Sequence, residues 1–167
     1  MSDVEKLTKD TINSGGVLAM LYFDLHARTK ELVQELGVGF VNTLIQREGV
    51  VFALGEIDEP KDGGEGKNWS GTVEVKILTK DFATLASIAM AHSPYSVEIM
   101  RPDEIRLPLS AAHDLLGIMA ATTAEYKKYI LLKLSKPEEI LQLQENLKKR
   151  AEMGKKIMDK DKKEGER

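Results

Sequence analysis

Val17-Leu-Ala-Met-Leu-Tyr-Phe-Asp-Leu-His26 is apolar at both alternating sets of positions: Val17, Ala19, Leu21, Phe23 and Leu25 in one, Leu18, Met20 and Tyr22 in the other. Side chains alternate across a strand, so a strand that is apolar on both faces is buried on both. The stretch therefore predicts a central strand, with helices against one face and a second cover over the other. What supplies that second cover is the main functional question.

Working outward, Asn13-Ser-Gly-Gly16 breaks any periodicity before the strand, and residues 2–14 place Val4, Leu7 and Ile12 among polar residues, as in a short helix or arm that docks on the body. On the other side, Thr29 to Arg47 carries Leu32, Val33, Leu36, Phe40, Val41, Leu44 and Ile45 at helical spacing, with Thr29 as N-cap and Gly49 as the stop. Gly37 and Gly39 inside it each weaken a helix by about 1 kcal/mol, which suggests close approach to a sheet or a kink. Val50–Ile57 predicts a second strand, with Gly55 allowing close packing or a bulge. Residues 58–71 are polar and glycine-rich and predict a mobile hairpin connection. Thr72–Thr79 alternates with Val73, Val75 and Ile77 inward; Asp81 caps a helix through His92; Tyr95–Met100 makes a fourth strand with Val97 and Ile99 inward.

The resulting order, strand-helix-strand-strand-helix-strand, is the ferredoxin-like βαββαβ pattern, so the fold class expected is α+β: an antiparallel four-stranded sheet with two helices on one face. Beyond it, Ala111–Leu134 predicts a long helix capped by Ser110, about 36 Å at 1.5 Å per residue, and Ser135-Lys-Pro-Glu138 matches a capping box opening a second helix with Ile140, Leu143, Leu147 and Ala151 on one face. Either one long helix or a helical hairpin follows the sheet. The domain reading is a ferredoxin-like domain with an N-terminal arm over 1–105, a helical extension over 106–154, and a charged, disordered tail over 155–167.

Composition bounds the function. Hydrophobic residues make up 42% of the 167 and charged ones 31%, ordinary for a chain that buries a core. Without cysteine there are no disulfides, thiolate zinc sites or cysteine nucleophiles. No signal-peptide pattern opens the chain, and no apolar run reaches the roughly 18 residues of a membrane span, so a cytoplasmic protein without membrane partners is expected. The net charge of −3 is unevenly spread: residues 148–167 hold nine basic and five acidic residues, and the body before them 15 basic and 22 acidic. An acidic body argues against nucleic-acid binding by the main domain.

Asp24 and His26 lie two apart on one strand and point the same way, as an acid–base or metal pair would; Glu98 or Lys76 on neighbouring strands is needed to extend the set. A solvated strand end is the structural alternative. His92 at the end of its helix is placed to interact with the helix dipole. Gly63-Gly-Glu-Gly66 joins two strands rather than opening a helix, so it matches neither phosphate-loop nor dinucleotide geometry. Neither cofactor nor metal is expected. The open face opposite the helices carries Leu18, Met20, Tyr22, Val50, Phe52, Leu54, Leu78 and Met100, a patch that monomers seldom leave exposed. Tyr126 and Tyr129, one turn apart on the long helix, mark an interface rim.

Glu48-Gly-Val-Val-Phe-Ala-Leu-Gly-Glu-Ile-Asp58, followed by Gly71-Thr-Val-Glu-Val-Lys-Ile-Leu-Thr-Lys-Asp-Phe82, resembles the middle of small ligand-sensing domains of the ACT type and of the effector domain of leucine-responsive regulators. The resemblance spans residues 17–101, departs in a longer hairpin loop, and carries over no ligand-contacting residue. It implies oligomers packed through sheets, with small effectors bound between subunits. The resulting expectation is a non-enzymatic homo-oligomer, a dimer or higher, acting as a regulatory or small-molecule-binding module, with Leu18, Met20, Tyr22, Phe52, Leu54, Met100, Tyr126 and Tyr129 at ligand or interface positions. Two alternatives stand beside it: an enzyme with its site at a subunit interface using Asp24, His26 and Glu98, and a scaffold whose basic tail meets acidic partners.

Overall fold

A computed structural model of the protein describes residues 3–64 and 67–134, together with residues 138, 139, 141, 142, 144–146, 148, 149, 152 and 153, which are helical. The capping box at Ser135–Glu138, the stripe Ile140, Leu143, Leu147 and Ala151, and the tail 155–167 lie wholly or partly outside the described residues. The chain divides into two compact units, 1–120 and 121–167.

The elements are α1 (Asp3–Asn13), β1 (Val17–Ala27), α2 (Lys30–Ile45), β2 (Val50–Ile57), β3 (Trp69–Thr79), α3 (Phe82–His92), β4 (Ser96–Arg101) and α4 (Leu109–Leu134). The sheet has the order β2-β3-β1-β4 with every neighbouring pair antiparallel. This is the ferredoxin-like α+β fold. The strand apolar on both faces is central, as its pattern requires.

Register follows from burial. Val17, Ala19, Leu21 and Phe23 of β1 face α2 and α3, and opposite them Val73, Val75 and Ile77 of β3 are fully buried. Leu44 of α2 and Leu85 and Ile88 of α3 close this core, and Phe40 meets Phe23 edge-on with ring centroids 4.6 Å apart. Each such side chain contributes about 1.5–3 kcal/mol on burial, and a one-residue slip would turn the whole set outward.

The caps fit the sequence. Thr29 Oγ1 accepts from the Leu32 amide at 3.2 Å, and Asp81 Oδ1 from the Thr84 amide at 2.7 Å, each satisfying an orphan donor of the first turn. The two glycines of α2 differ: a Cβ at Gly37 would lie 2.6 Å from Ile57 Cδ1, whereas nothing lies within 4 Å at Gly39. Only Gly37 serves helix–sheet contact.

Four expectations are corrected. The strand expected from Thr72 begins at Trp69, because Trp69, Ser70 and Gly71 pair with Ala27, His26 and Leu25. The base of the connection expected to be unpaired is also paired: Lys61 and Ser70 exchange both backbone hydrogen bonds, at 2.7 and 3.0 Å, and Pro60 is buried. Val50 leaves the open face, since a register shift between Val50 and Phe52 turns it onto the helix-side core. Finally, Ser110 lies inside α4 rather than capping it; the Pro108 carbonyl already accepts the Ala112 amide at 3.0 Å.

Candidate functional site

On the face away from α2 and α3, pairing sets the side chains in rows across the sheet. One row runs Phe52, Leu78, Leu18 and, on β4, Arg101, with Met100 at the adjacent register shift. The next runs Leu54, Lys76, Met20 and Glu98, and a third Glu56, Glu74, Tyr22 and Ser96. Asp24 and His26 follow opposite Thr72 and Ser70. The face thus grades from apolar to acidic along the strands.

The apolar end has a cover that the sequence did not assign to it. Leu18 and Leu78 are 6% and 0% exposed although they point away from the main core. The cover is α1, whose Val4, Thr8 and Ile12 line one cleft with Leu18, Phe52, Leu54 and Met100. Its attachment is at the C-terminal end. Backbone amides of Ser14, Gly15 and Gly16 donate to carbonyls of its last turn, and a Cβ at Gly16 would fall 2.6 Å from the Thr79 carbonyl oxygen. No residue of α1 is buried. The helix therefore walls the face without sealing it and leaves a cleft of about 970 Å³, of the size that ligand clefts have.

Lys9 of α1, Lys76 of β3 and Arg101 of β4 also line this cleft, with Glu5 as its acidic member. None of the three cations is in an ion pair among the described residues. The sequence reading missed Lys9 and Arg101 as site residues because their proximity depends on how α1 folds over the sheet.

Tyr22, in the third row, has its hydroxyl pKa pushed above the usual value, first by partial burial and then by the charges of Glu98 and Glu74. It packs against Tyr95 at a centroid distance of 6.1 Å. Glu98 stands beside Met20, four residues along β1 from Asp24 and about 13 Å away at strand rise. Asp24 and His26 are both exposed, and the structure does not bring Glu98 to them. Among the described residues no group of His, Asp and Glu is placed to hold a metal ion.

His92 does end α3, but its contacts differ from the charged helix-dipole partner expected. Arg47 Nη2 donates to Ser87 Oγ at 2.7 Å while Nη1 lies 3.4 Å from His92 Nε2, and Phe40 meets the imidazole edge-on. Burial, and then the nearby guanidinium, lower the His92 pKa. The cation at this helix end is Arg47, and the imidazole is neutral at pH 7.

A second apolar surface lies on the helix side of β4. Val97 and Ile99 lie on the helix side of the sheet as expected but are 44% and 42% exposed. With Phe82, Met90, Leu115 and Met119 they line a groove of about 330 Å³. The helix α4 has no buried residue, and every position from 123 to 134 is exposed. Tyr126 and Tyr129 lie on this stretch, with Lys133 Nζ 5.7 Å from the centre of the Tyr129 ring.

Residues 18–161 match the model of the MJ0538 family. The chain belongs to that family. The matched span takes in nearly all of β1, the other three strands, and α2 to α4, with α1 outside it. Neither curated proteins nor solved structures gave a match. Among the described residues no helix is long and apolar enough to cross a membrane.

Proposed function

We propose that this member of the MJ0538 family is a non-enzymatic regulatory module that assembles with copies of itself through α4 and receives a small molecule in the cleft between α1 and the sheet. The observation that carries the reading is the cleft: an apolar floor already half roofed by a helix that buries none of its own residues. A site of this shape gains apolar burial when a ligand fills it. Among the described residues that line it there is no set of converging acid, base and nucleophile.

Assembly is supported by the composition of α4. Leu109, Ala112, Leu116, Met119, Thr123, Tyr126 and Ile130 recur at alternating spacings of three and four, the 3.5-residue repeat that keeps two helices in contact. Of the apolar residues in that seam, Leu116, Met119, Tyr126 and Ile130 are all exposed. A second copy supplies the same seam and pairs with it isologously. The resemblance of residues 17–101 to ligand-sensing ACT-type and leucine-responsive effector domains favours the same reading.

Native mass spectrometry of the purified protein, with sedimentation equilibrium at micromolar concentration, tests it. The expected result is an oligomer of the 18.6 kDa chain that gains mass stoichiometrically when a small apolar ligand is added. A monomer at all concentrations that takes up none of a panel of such ligands would overturn it.

A further inference from the structure

We propose that the cleft beneath α1 binds a free amphipathic carboxylate, a small organic acid with an apolar body. This rests on the reading of the cleft as a small-molecule site and names the ligand's chemistry. The apolar body lies on Leu18, Phe52 and Leu54, and the carboxylate meets Lys76 and Arg101.

The first argument is charge. The body of the protein before Lys148 is acidic, with 22 acidic against 15 basic residues, yet the cleft lining reverses the balance: Lys9, Lys76 and Arg101 against Glu5. None of these cations is in an ion pair among the described residues. Filling the cleft with a neutral apolar molecule strips water from them without replacement, and an anion supplies the missing partner.

The second argument is placement. Lys76 and Arg101 stand on β3 and β4, the two strands that flank β1, opposite Met20 and Leu18 respectively, so their backbones are about 12 Å apart with Leu18 and Met20 between them. A long side chain from each side spans that gap, and both reach one carboxylate over β1, the guanidinium in a two-pronged geometry. Glu98 ends the Lys76 row on β4 and Glu56 and Glu74 stand in the row beyond it; these carboxylates repel an anion from the far end of the face. Toward Phe52 and α1 the lining is apolar. Charge and apolar surface thus order the ligand head to tail.

The roof selects a free acid over a membrane lipid. A bilayer offers its anionic head outward and keeps the acyl chain, whereas this cleft takes the chain between α1 and the sheet together with the head.

Calorimetric titration of the full chain with octanoate and with the matched neutral 1-octanol tests the assignment, using the wild type and the K76M and R101M variants. Circular dichroism and thermal melting establish that each variant is folded. Octanoate is expected to bind at least about tenfold more tightly than 1-octanol, and each variant to lose about tenfold in octanoate affinity while keeping that for 1-octanol. Equal affinity for the two ligands, or variants that leave octanoate unchanged, would overturn the carboxylate assignment and leave the small-molecule reading intact. Failure of both ligands to bind the wild type would overturn both.

Discussion

Val41 of α2 occupies the space that a side chain at Gly55 of β2 would need. A Cβ built at Gly55 collides with Val41 Cγ2 and comes to 3.3 Å from its Cβ. Valine in a helix is held to one rotamer, so it does not turn away. Gly55→Ala is therefore expected to destabilise the protein by about 1–3 kcal/mol, the usual cost of overpacking. Gly39→Ala meets nothing within 4 Å and is expected to stabilise it by up to about 1 kcal/mol through helix propensity. Urea unfolding of the two variants checks the contrast. Equal effects would mean that α2 does not rest on the sheet at Gly55.

The Arg47–His92 contact makes stability depend on pH in a defined direction. His92 has a lowered pKa in the folded protein, whereas the unfolded chain titrates near the reference of about 6.5. Between those two values the unfolded state binds more protons, so stability rises with pH in that window. The contribution is fully present above about 6.5 and is lost as pH falls from there toward the folded value. His92→Gln removes the titration but keeps an acceptor for Arg47. Urea midpoints measured from neutral to mildly acid pH should fall less steeply for the variant than for the wild type. Parallel curves would show that His92 carries no such linkage.

Asp24 and His26 are exposed on β1 opposite Thr72 and Ser70, and no ion pair joins them among the described residues. Replacing both by Asn is expected to change stability by less than about 0.5 kcal/mol, as surface substitutions do. Thermal melting and native mass are the readouts. A large loss in either would restore a structural or interfacial role to the pair.

Elements set by local chemistry were legible before the structure. The two-sided apolar run at Val17–Leu25, the Thr29 and Asp81 caps and the inward Val73, Val75 and Ile77 each depend on residues close in sequence, and together they specify the βαββαβ order. Features that depend on distant partners were hidden. Trp69–Gly71 reads as loop but is held in the sheet by β1. Val50 changes face through a register shift that only β3 imposes. The cleft was legible as an apolar floor, since Leu18, Phe52, Leu54 and Met100 fall on one face by alternation. Its roof and rim were not: α1 is mostly polar, and Lys9 and Arg101 are far apart in sequence. An excess of cations around apolar positions in an otherwise acidic body was the available signal.

The seam of α4 offers a test in which stability and assembly separate. Ile130 is exposed and occupies the last apolar position of the 3.5-residue repeat. Glutamate is at least as good a helix former as isoleucine, so Ile130→Glu leaves an isolated helix intact and removes apolar area only if another helix covers it. If copies pair through this seam, the substitution places a carboxylate in each partner's path, and two such charges meet across a symmetric interface. The wild type should then show a melting temperature that rises with protein concentration. The variant should melt at a concentration-independent temperature and sediment at the mass of the single chain, 18.6 kDa. A variant that keeps the wild-type mass and concentration dependence would remove α4 from the assembly and leave the groove beside Val97 and Ile99 as the contact to examine.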